Sequence, residues 1–470
     1  MHNEMNVVSE PATTPTTTPT ATLPSDSKPP KPRAKERRAA AEPVDPNAVR
    51  QLTAHLTRDR VVRLALLFLD NLPDIHLKDL HVDDLDDQRR MRIGAHELFN
   101  FGSDSFLGLD RHPVVRQALV EAAARWGLHN GASRAFCSVS LCEEAEYRLA
   151  RWLGVEDTLI FPSVTLANVG LIPGIATKGD LLVVDRQSHD TIHQAAKIAA
   201  ADGAILEEVH PLCAESLERV LAKATAKHRV VAVDGVYSMT GRIPPLKQID
   251  EVTRRYGGIL YVDDAHGTAV VGPRGRGAAY MSLGGLDQVL MVGSLSKAFS
   301  CMGAFVTCNS TLKRVLKLRS STFIFGGPVP PPYLAAVCAV CDILESPEYD
   351  RMLDRLRGLM RRLTDGVRDL GLTVLGGEAP IVSVVIGDIE QTLQAGRWLF
   401  DRGYYVQSAT YPAVPLNAGL LRILVNANHS DEAMTGLLAA LGEMKEHFQL
   451  GRQAVSAKDL QEMHERGLKL

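Results

Sequence analysis

No apolar run in this sequence reaches about 18 residues, the length at which a helix begins to cross a bilayer, so a membrane-spanning chain is not expected. Cysteine is scarce and odd in number. Cys137, Cys142, Cys213, Cys301, Cys308, Cys338 and Cys341 follow no regular spacing, which argues against a disulfide framework. Cys338-Ala-Val-Cys341 has the spacing of a redox or metal pair. It lies in an alanine-rich helical pattern without a second pair of ligands, so it reads as small core residues. An excess of one charge is also missing: a net charge of −3 gives no general pull toward nucleic acid. The N-terminus lacks a basic stretch followed by an apolar one, and the protein reads as cytoplasmic. No internal repeat is visible.

What is present falls into segments. Thr and Pro dominate the start of residues 1–46, and Lys31-Pro32-Arg33-Ala34-Lys35-Glu36-Arg37-Arg38 adds a basic cluster. That composition buries too little apolar surface to offset its ordering entropy, so the segment reads as a disordered tail, solvated rather than held by an anionic partner. From 47 to 71 the residues Leu52, Leu56, Val61, Leu64, Leu67 and Phe68 recur at helical spacing among Arg and Asp. Residues 61–69 are apolar enough for a membrane surface or an acyl chain. Packing on the main domain or on a partner subunit is the preferred reading, and 47–95 is assigned as an N-terminal helical segment.

Beyond Gly94 helical and strand patterns alternate. Apolar runs at 158–161, 181–184, 230–233, 259–262, 289–292 and 304–307 read as buried strands, with helices between several of them. An α/β fold follows, with a mostly parallel sheet in a large domain over 96–345 and any cofactor beyond the carboxyl ends of the strands. After a long helical stretch near 330–371, short strands at 382–386 and 421–425 flank a helix around 391–401. They suggest a small C-terminal α+β domain over 346–450, followed by a helical tail over 451–470.

The chemistry concentrates in two loops. Lys297 stands in Val292-Gly293-Ser294-Leu295-Ser296-Lys297-Ala298-Phe299, among small and hydroxyl residues just past an apolar run. A lysine in such a partly buried turn has a lowered pKa and can bond covalently to an aldehyde cofactor. Asp263, in Val262-Asp263-Asp264-Ala265-His266-Gly267, ends a strand and is placed to hold a protonated pyridine nitrogen. Together they are what pyridoxal 5'-phosphate requires. His266, on the loop leaving that strand, is placed beside the cofactor ring or its phenolic oxygen.

On these residues the chain resembles the α-oxoamine synthases, fold-type I pyridoxal phosphate-dependent transferases. The resemblance runs from about Phe99 to about Asp431. Its motifs include Ser105-Phe106-Leu107-Gly108-Leu109, Gly131-Ala132-Ser133-Arg134, Arg148-Leu149-Ala150-Arg151-Trp152-Leu153-Gly154, Asp234-Gly235-Val236-Tyr237-Ser238 and Leu421-Arg422-Ile423. It implies Lys297 as cofactor-bonding lysine and general base, Asp263 as the pyridine-nitrogen partner, and His266 and Ser238 near the cofactor hydroxyl. Ser294 and the N–H groups of Val164 and Thr165, at a helix start, would meet the phosphate. Arg422 would grip the amino-acid carboxylate. The activity implied is condensation of an amino acid with an acyl thioester and loss of CO2, giving an α-amino ketone, in a homodimer with sites at the subunit boundary.

The chain also departs from the family pattern. Cys142 falls where relatives place a histidine stacked on the cofactor ring, with Phe136 an alternative cover. Asp104 replaces an asparagine at the substrate-facing position and would repel a carboxylate if it pointed inward. Phe325-Gly326-Gly327-Pro328 lacks the hydroxyl residue that relatives extend to the neighbouring subunit's phosphate, and Ser300-Cys301 replaces a glycine after the lysine loop. Similar departures occur in the autoinducer synthases of the family. Two other readings stay open at this level: an enzyme of another reaction type, such as an aminotransferase or lyase, and an inert partner subunit. Retention of Lys297, Asp263 and His266 argues against the second.

Overall fold

A computed structural model describes residues 47–71 and 77–451, apart from 211, 412 and 416. The expected tails over 1–46 and 452–470 lie outside the described residues. The chain divides into two units, Met1–Leu66 and Leu67–Leu470. In the first, helix α1 (Ala48–Leu56) is opened by Asn47, whose side chain accepts the Arg50 N–H at 3.1 Å. Helix α2 (Arg60–Asn71) starts in the first unit and ends in the second.

The remainder of the expected helical segment is different. Strands β1 (Asp84–Leu85) and β2 (Arg90–Ile93) occupy its second part and pair antiparallel, and β2 pairs in turn with β3 (His96–Asn100). Met91 and Leu98 of this ribbon are buried with Phe400. The period of two, not the helical period of the preceding residues, governs here.

The second unit is built on a seven-stranded sheet. Its strands are β4 (Asp157–Phe161), β5 (Leu181–Asp185), β6 (Ile205–Val209), β7 (Arg229–Asp234), β8 (Ile259–Asp263), β9 (Val289–Ser294) and β10 (Ala304–Cys308), in the order β4-β10-β9-β8-β7-β5-β6. Only β10 runs antiparallel to its neighbours. Six of these strands coincide with the apolar runs read from sequence. The edge strand β6 does not, because Glu207 and Glu208 are exposed and break the apolar run. Alternate residues of the central strands enter different cores: Val183, Val231, Val233, Leu260 and Val262 on one side, Leu182, Val184, Val230, Ala232 and Tyr261 on the other. Helices α3 (Pro113–Trp126), α4 (Ser140–Leu153) and Pro331–Leu344 cover the first face, whereas α5 (Val164–Ile175) and Asp190–Ala201 cover the second. A sheet covered on both sides explains the continuous apolar runs.

The long helical stretch near 330–371 is two helices, Pro331–Leu344 and Pro347–Asp369. Ser346 caps the second by accepting the Glu348 N–H, and Pro347 sits at its first position. Beyond it, β11 (Val374–Gly376), β12 (Ile381–Gly387), β14 (Gln407–Ala409) and β15 (Gly419–Leu424) form an antiparallel sheet in the order β11-β12-β15-β14. Before β14, β13 (Tyr404–Tyr405) joins β3 in parallel. The register of the small sheet places Arg422 between Ser383 and Gln407. Cys338 and Cys341 are buried in their helix, as core residues.

Candidate active site

Three adjacent parallel strands, β5, β7 and β8, end in Asp185, Asp234 and Asp263. All three carboxylates are buried, so each needs a dedicated partner. Asp185 accepts the Tyr237 hydroxyl. Asp234 accepts the His189 N–H on both oxygens, at 3.1 and 3.2 Å. Burial, with the neighbouring Asp263 charge, still pushes Asp234 well above the usual carboxylate range.

Asp263 is the best-held of the three. Asn168 Nδ2 donates to its Oδ2 at 2.6 Å, and the Ala265 N–H to its Oδ1 at 3.1 Å. Asn168, fully buried on α5, also donates to Thr191 Oγ1 at 2.9 Å and accepts the Tyr261 hydroxyl at 2.6 Å. Helix and sheet together therefore aim the carboxylate. The sequence alone gives Asn168 no assigned role. Its role, and that of Tyr261, appears once α5 lies against β8.

Lys297 follows β9 by three residues and is half-buried. Its turn is closed by the Leu295 N–H to Gly303 O (2.9 Å), Cys301 N–H to Leu295 O (2.8 Å) and Ser300 N–H to Lys297 O (2.8 Å). Burial presses the Lys297 ammonium below its ordinary pKa; Arg422 adds to this, while Asp263, Asp104 and Asp234 oppose it. His266 is buried and held neutral, well below the usual histidine value, by burial and by the charges of Lys297 and Arg422. Its Nδ1 has no partner among the described residues.

Register also brings the expected phosphate contacts to one level of the sheet. Phe161 and Ser294 lie opposite the same residue, Ala304, from its two sides. Two residues past Phe161, Ser163 caps α5, its hydroxyl accepting the Leu166 N–H at 3.2 Å. The N–H groups of Val164 and Thr165 open that helix and have no carbonyl one turn back. Ser294 is buried, and its hydroxyl accepts the Ser296 N–H at 3.1 Å.

Arg422 is 4% exposed and engaged at each nitrogen: Nε donates to Ser238 O (2.6 Å), Nη1 to Gln407 Oε1 (2.6 Å) and Nη2 to Asp104 Oδ1 (3.2 Å). Asp104 thus points toward the guanidinium. Ser238 enters this contact through its carbonyl. A cavity of about 460 Å³ is lined by His189, Ser238, Met239, Tyr411 and Val414, next to these groups.

The expectation for Cys142 is corrected. It is 1% exposed on α4, in the core with Phe106 and Leu149. Burial pushes its thiol up, and the main charges around it are Arg134, Glu146 and Glu143, not the Lys297 group. Arg134 and Glu146 form a buried pair at 2.7 Å that occupies this side of the helix. Phe136, the alternative ring cover, is 88% exposed.

A lowered-pKa lysine, an anchored aspartate, a neutral imidazole with an unpartnered nitrogen and an open helix start are the donor set that pyridoxal phosphate needs, and the residues fit it. No His, Cys, Asp and Glu cluster suited to a metal occurs among the described residues. No described helix is long and apolar enough to cross a membrane.

Comparison with known proteins agrees. The aminotransferase class I and II family matches residues 96–441. An 8-amino-7-oxononanoate synthase of Geobacter sulfurreducens is 35% identical over 362 residues, covering 76% of this chain and 90% of the relative. One from Methylococcus capsulatus is 35% identical, covering 75% and 91%. Among solved structures, serine palmitoyltransferase from S. paucimobilis with a bound PLP-myriocin aldimine superposes with a TM-score of 0.78 at 26% identity, covering 84% of this chain and all of that one. The chain belongs to the aminotransferase class I and II family and, within it, to the pyridoxal phosphate-dependent α-oxoamine synthases.

Proposed function

We propose that this enzyme joins a small α-amino acid to an acyl thioester, releasing CO2 and the thiol and leaving an α-amino ketone. The observation that carries the reading is the meeting of Lys297, His266 and the anchored Asp263 with the arginine of the small domain, Arg422. Pyridoxal phosphate, when bound, supplies the electron sink that makes the α-proton removable. Lys297 takes that proton, since an amine accepts protons near neutrality only when its pKa is lowered. Asp263, its two oxygens aimed by Asn168 Nδ2 and the Ala265 N–H, would stand against the ring nitrogen. His266 offers its free nitrogen to the cofactor hydroxyl without adding charge. Ser294, Val164 and Thr165 hold the phosphate. Arg422 orients the amino-acid carboxylate, which must compete there with Asp104.

A homodimer belongs to the same reading. Phe136, on a turn, and Phe325, at the end of the short helix Ser321–Phe325, are 88% and 84% exposed, and the Ser133 hydroxyl donating to Ile324 O ties the two segments into an apolar surface suited to a second subunit. Seven free cysteines suit a reducing, cytoplasmic setting. The test is a mass-spectrometric screen of glycine, alanine, serine and threonine against several acyl-CoAs. The expected product has the mass of amino acid plus acyl group less CO2 and one hydrogen, which leaves on the thiol, with one thiol released per product. Amino-group transfer to the cofactor without thiol release would replace this reading with an aminotransferase.

A further inference from the structure

Ser300 is one of eight non-glycine residues with positive φ among the described residues, at φ 55°. It lies three residues past Lys297, and its N–H closes the lysine turn on Lys297 O at 2.8 Å. A side chain in this conformation is strained, so something must hold it there. Its hydroxyl lies 2.7 Å from Ser105 Oγ. Ser105 gives its own proton to Asp110 Oδ1 at 2.6 Å and accepts from Arg89 Nη2 at 2.7 Å, so Ser300 is the donor in the serine pair and shares its proton with the more distant Lys297 O at 3.3 Å. Arg89 grips both oxygens of Asp110 as a fork. Burial alone would raise the Asp110 carboxyl, but the Arg89 and Ser105 hydrogen bonds outweigh it and hold the pKa below the ordinary value. Arg89 is 1% exposed and itself left-handed, φ 63°, in the turn before β2. The chain of bonds runs from a buried arginine on the N-terminal ribbon to the loop that carries the lysine.

We propose that Arg89, Asp110, Ser105 and Ser300 form a positioning relay that fixes the Lys297 loop. It rests on the reading of Lys297 as the proton-accepting base. None of the four is assigned to touch substrate. Their work is to keep the lysine backbone in one conformation, so that its amine meets the α-carbon at a constant distance. A displacement of about an ångström at a reacting group is enough to cost orders of magnitude in rate.

The test uses the full-length, cofactor-loaded protein. Ser300→Ala keeps the Cβ and removes the hydroxyl with its bonds to Ser105 and Lys297 O; Ser105→Ala removes only the serine acceptor. Each is expected to lower the α-proton exchange rate of the bound amino acid roughly tenfold with KM for the amino acid unchanged. Each should also shift the pH midpoint of the bound cofactor's visible absorbance by about half a unit. The double variant should be no worse than Ser300→Ala alone, since the serine–serine bond is already lost there. Arg89→Lys should restore part of what Arg89→Gln loses, and thermal unfolding shows whether Arg89→Gln has merely lost its fold. Additive losses, an effect confined to KM, or an unmoved pH midpoint in both serine variants would overturn the relay. A wild-type protein that binds the cofactor but exchanges no α-proton would instead overturn the role of Lys297, and the relay with it.

Discussion

Arg422 Nη2 lies 3.2 Å from Asp104 Oδ1, so the cation expected to receive a substrate carboxylate already holds one from its own chain. The other two nitrogens of the guanidinium donate to Gln407 and Ser238. Any substrate carboxylate must therefore displace Asp104 or share the arginine with it. Asp104→Asn is expected to lower KM for the amino acid roughly two- to fivefold, the range of a partly exposed ion pair, and to make KM less sensitive to salt. An unchanged KM in steady-state assays would separate Arg422 from carboxylate binding.

The Asn168–Asp263 contact carries a second expectation. Asp263→Asn should keep some cofactor yet nearly abolish deuterium exchange at the α-carbon, because a neutral amide does not hold a pyridinium charge. Asn168→Leu should slow exchange less. It should also cost about 1–3 kcal/mol in stability, since the buried Tyr261 hydroxyl loses its acceptor. Near-normal exchange in Asp263→Asn would remove Asp263 from its assigned place.

Asp264 makes stability depend on pH in an unusual direction. It is fully buried, and a Cβ on Gly267, Gly277 or Gly235 would stand 2.0, 2.3 or 2.6 Å from one of its carboxyl oxygens, so those three positions leave no room for a side chain. Burial, with Asp263 beside it, raises its pKa to about 7. Below about pH 4 both folded and unfolded forms are protonated, and the group is neutral toward folding. As pH rises toward 7 the unfolded carboxyl ionises while the folded one does not, and stability falls by up to about 4 kcal/mol. Asp264→Asn should therefore raise Tm at pH 8 and leave it nearly unchanged at pH 4. Equal shifts at both pH values would mean that the carboxyl is ionised in the fold throughout.

Cys142 separates core packing from cofactor contact. In the observed position Cys142→Ala should cost about 1 kcal/mol by denaturant unfolding and leave the cofactor's absorption spectrum and the choice of amino acid unchanged. Cys142→His should overpack α4 and lower stability further. A spectrum altered by Cys142→His in a normally stable protein would return this residue to the ring.

Much of this protein was legible locally. Lys297, Asp263 and His266 could be read from sequence because each follows a short apolar strand within a few residues, and strand ends of a parallel sheet are where such groups converge. Six of the seven sheet strands were visible for the same reason: covered on both faces, they are apolar throughout. The edge strand β6 and the β1–β2 ribbon were not, since one carries exposed glutamates and the other is too short for a period of two to stand out.

The sequence by itself determined the cofactor and the reaction family, and it singled out the residues proposed to meet the cofactor, because those depend on residue type and near spacing. Tertiary structure alone decided what holds them. Asn168 reaches Asp263 across 95 positions, Ser105 reaches Ser300 across 195, and Asp104 reaches Arg422 across 318. It also moved Cys142 into the core, because its place on α4 depends on how that helix packs. A hydrogen bond needs its atoms within about 3 Å, and only the closed sheet and the docked small domain bring such distant groups that near.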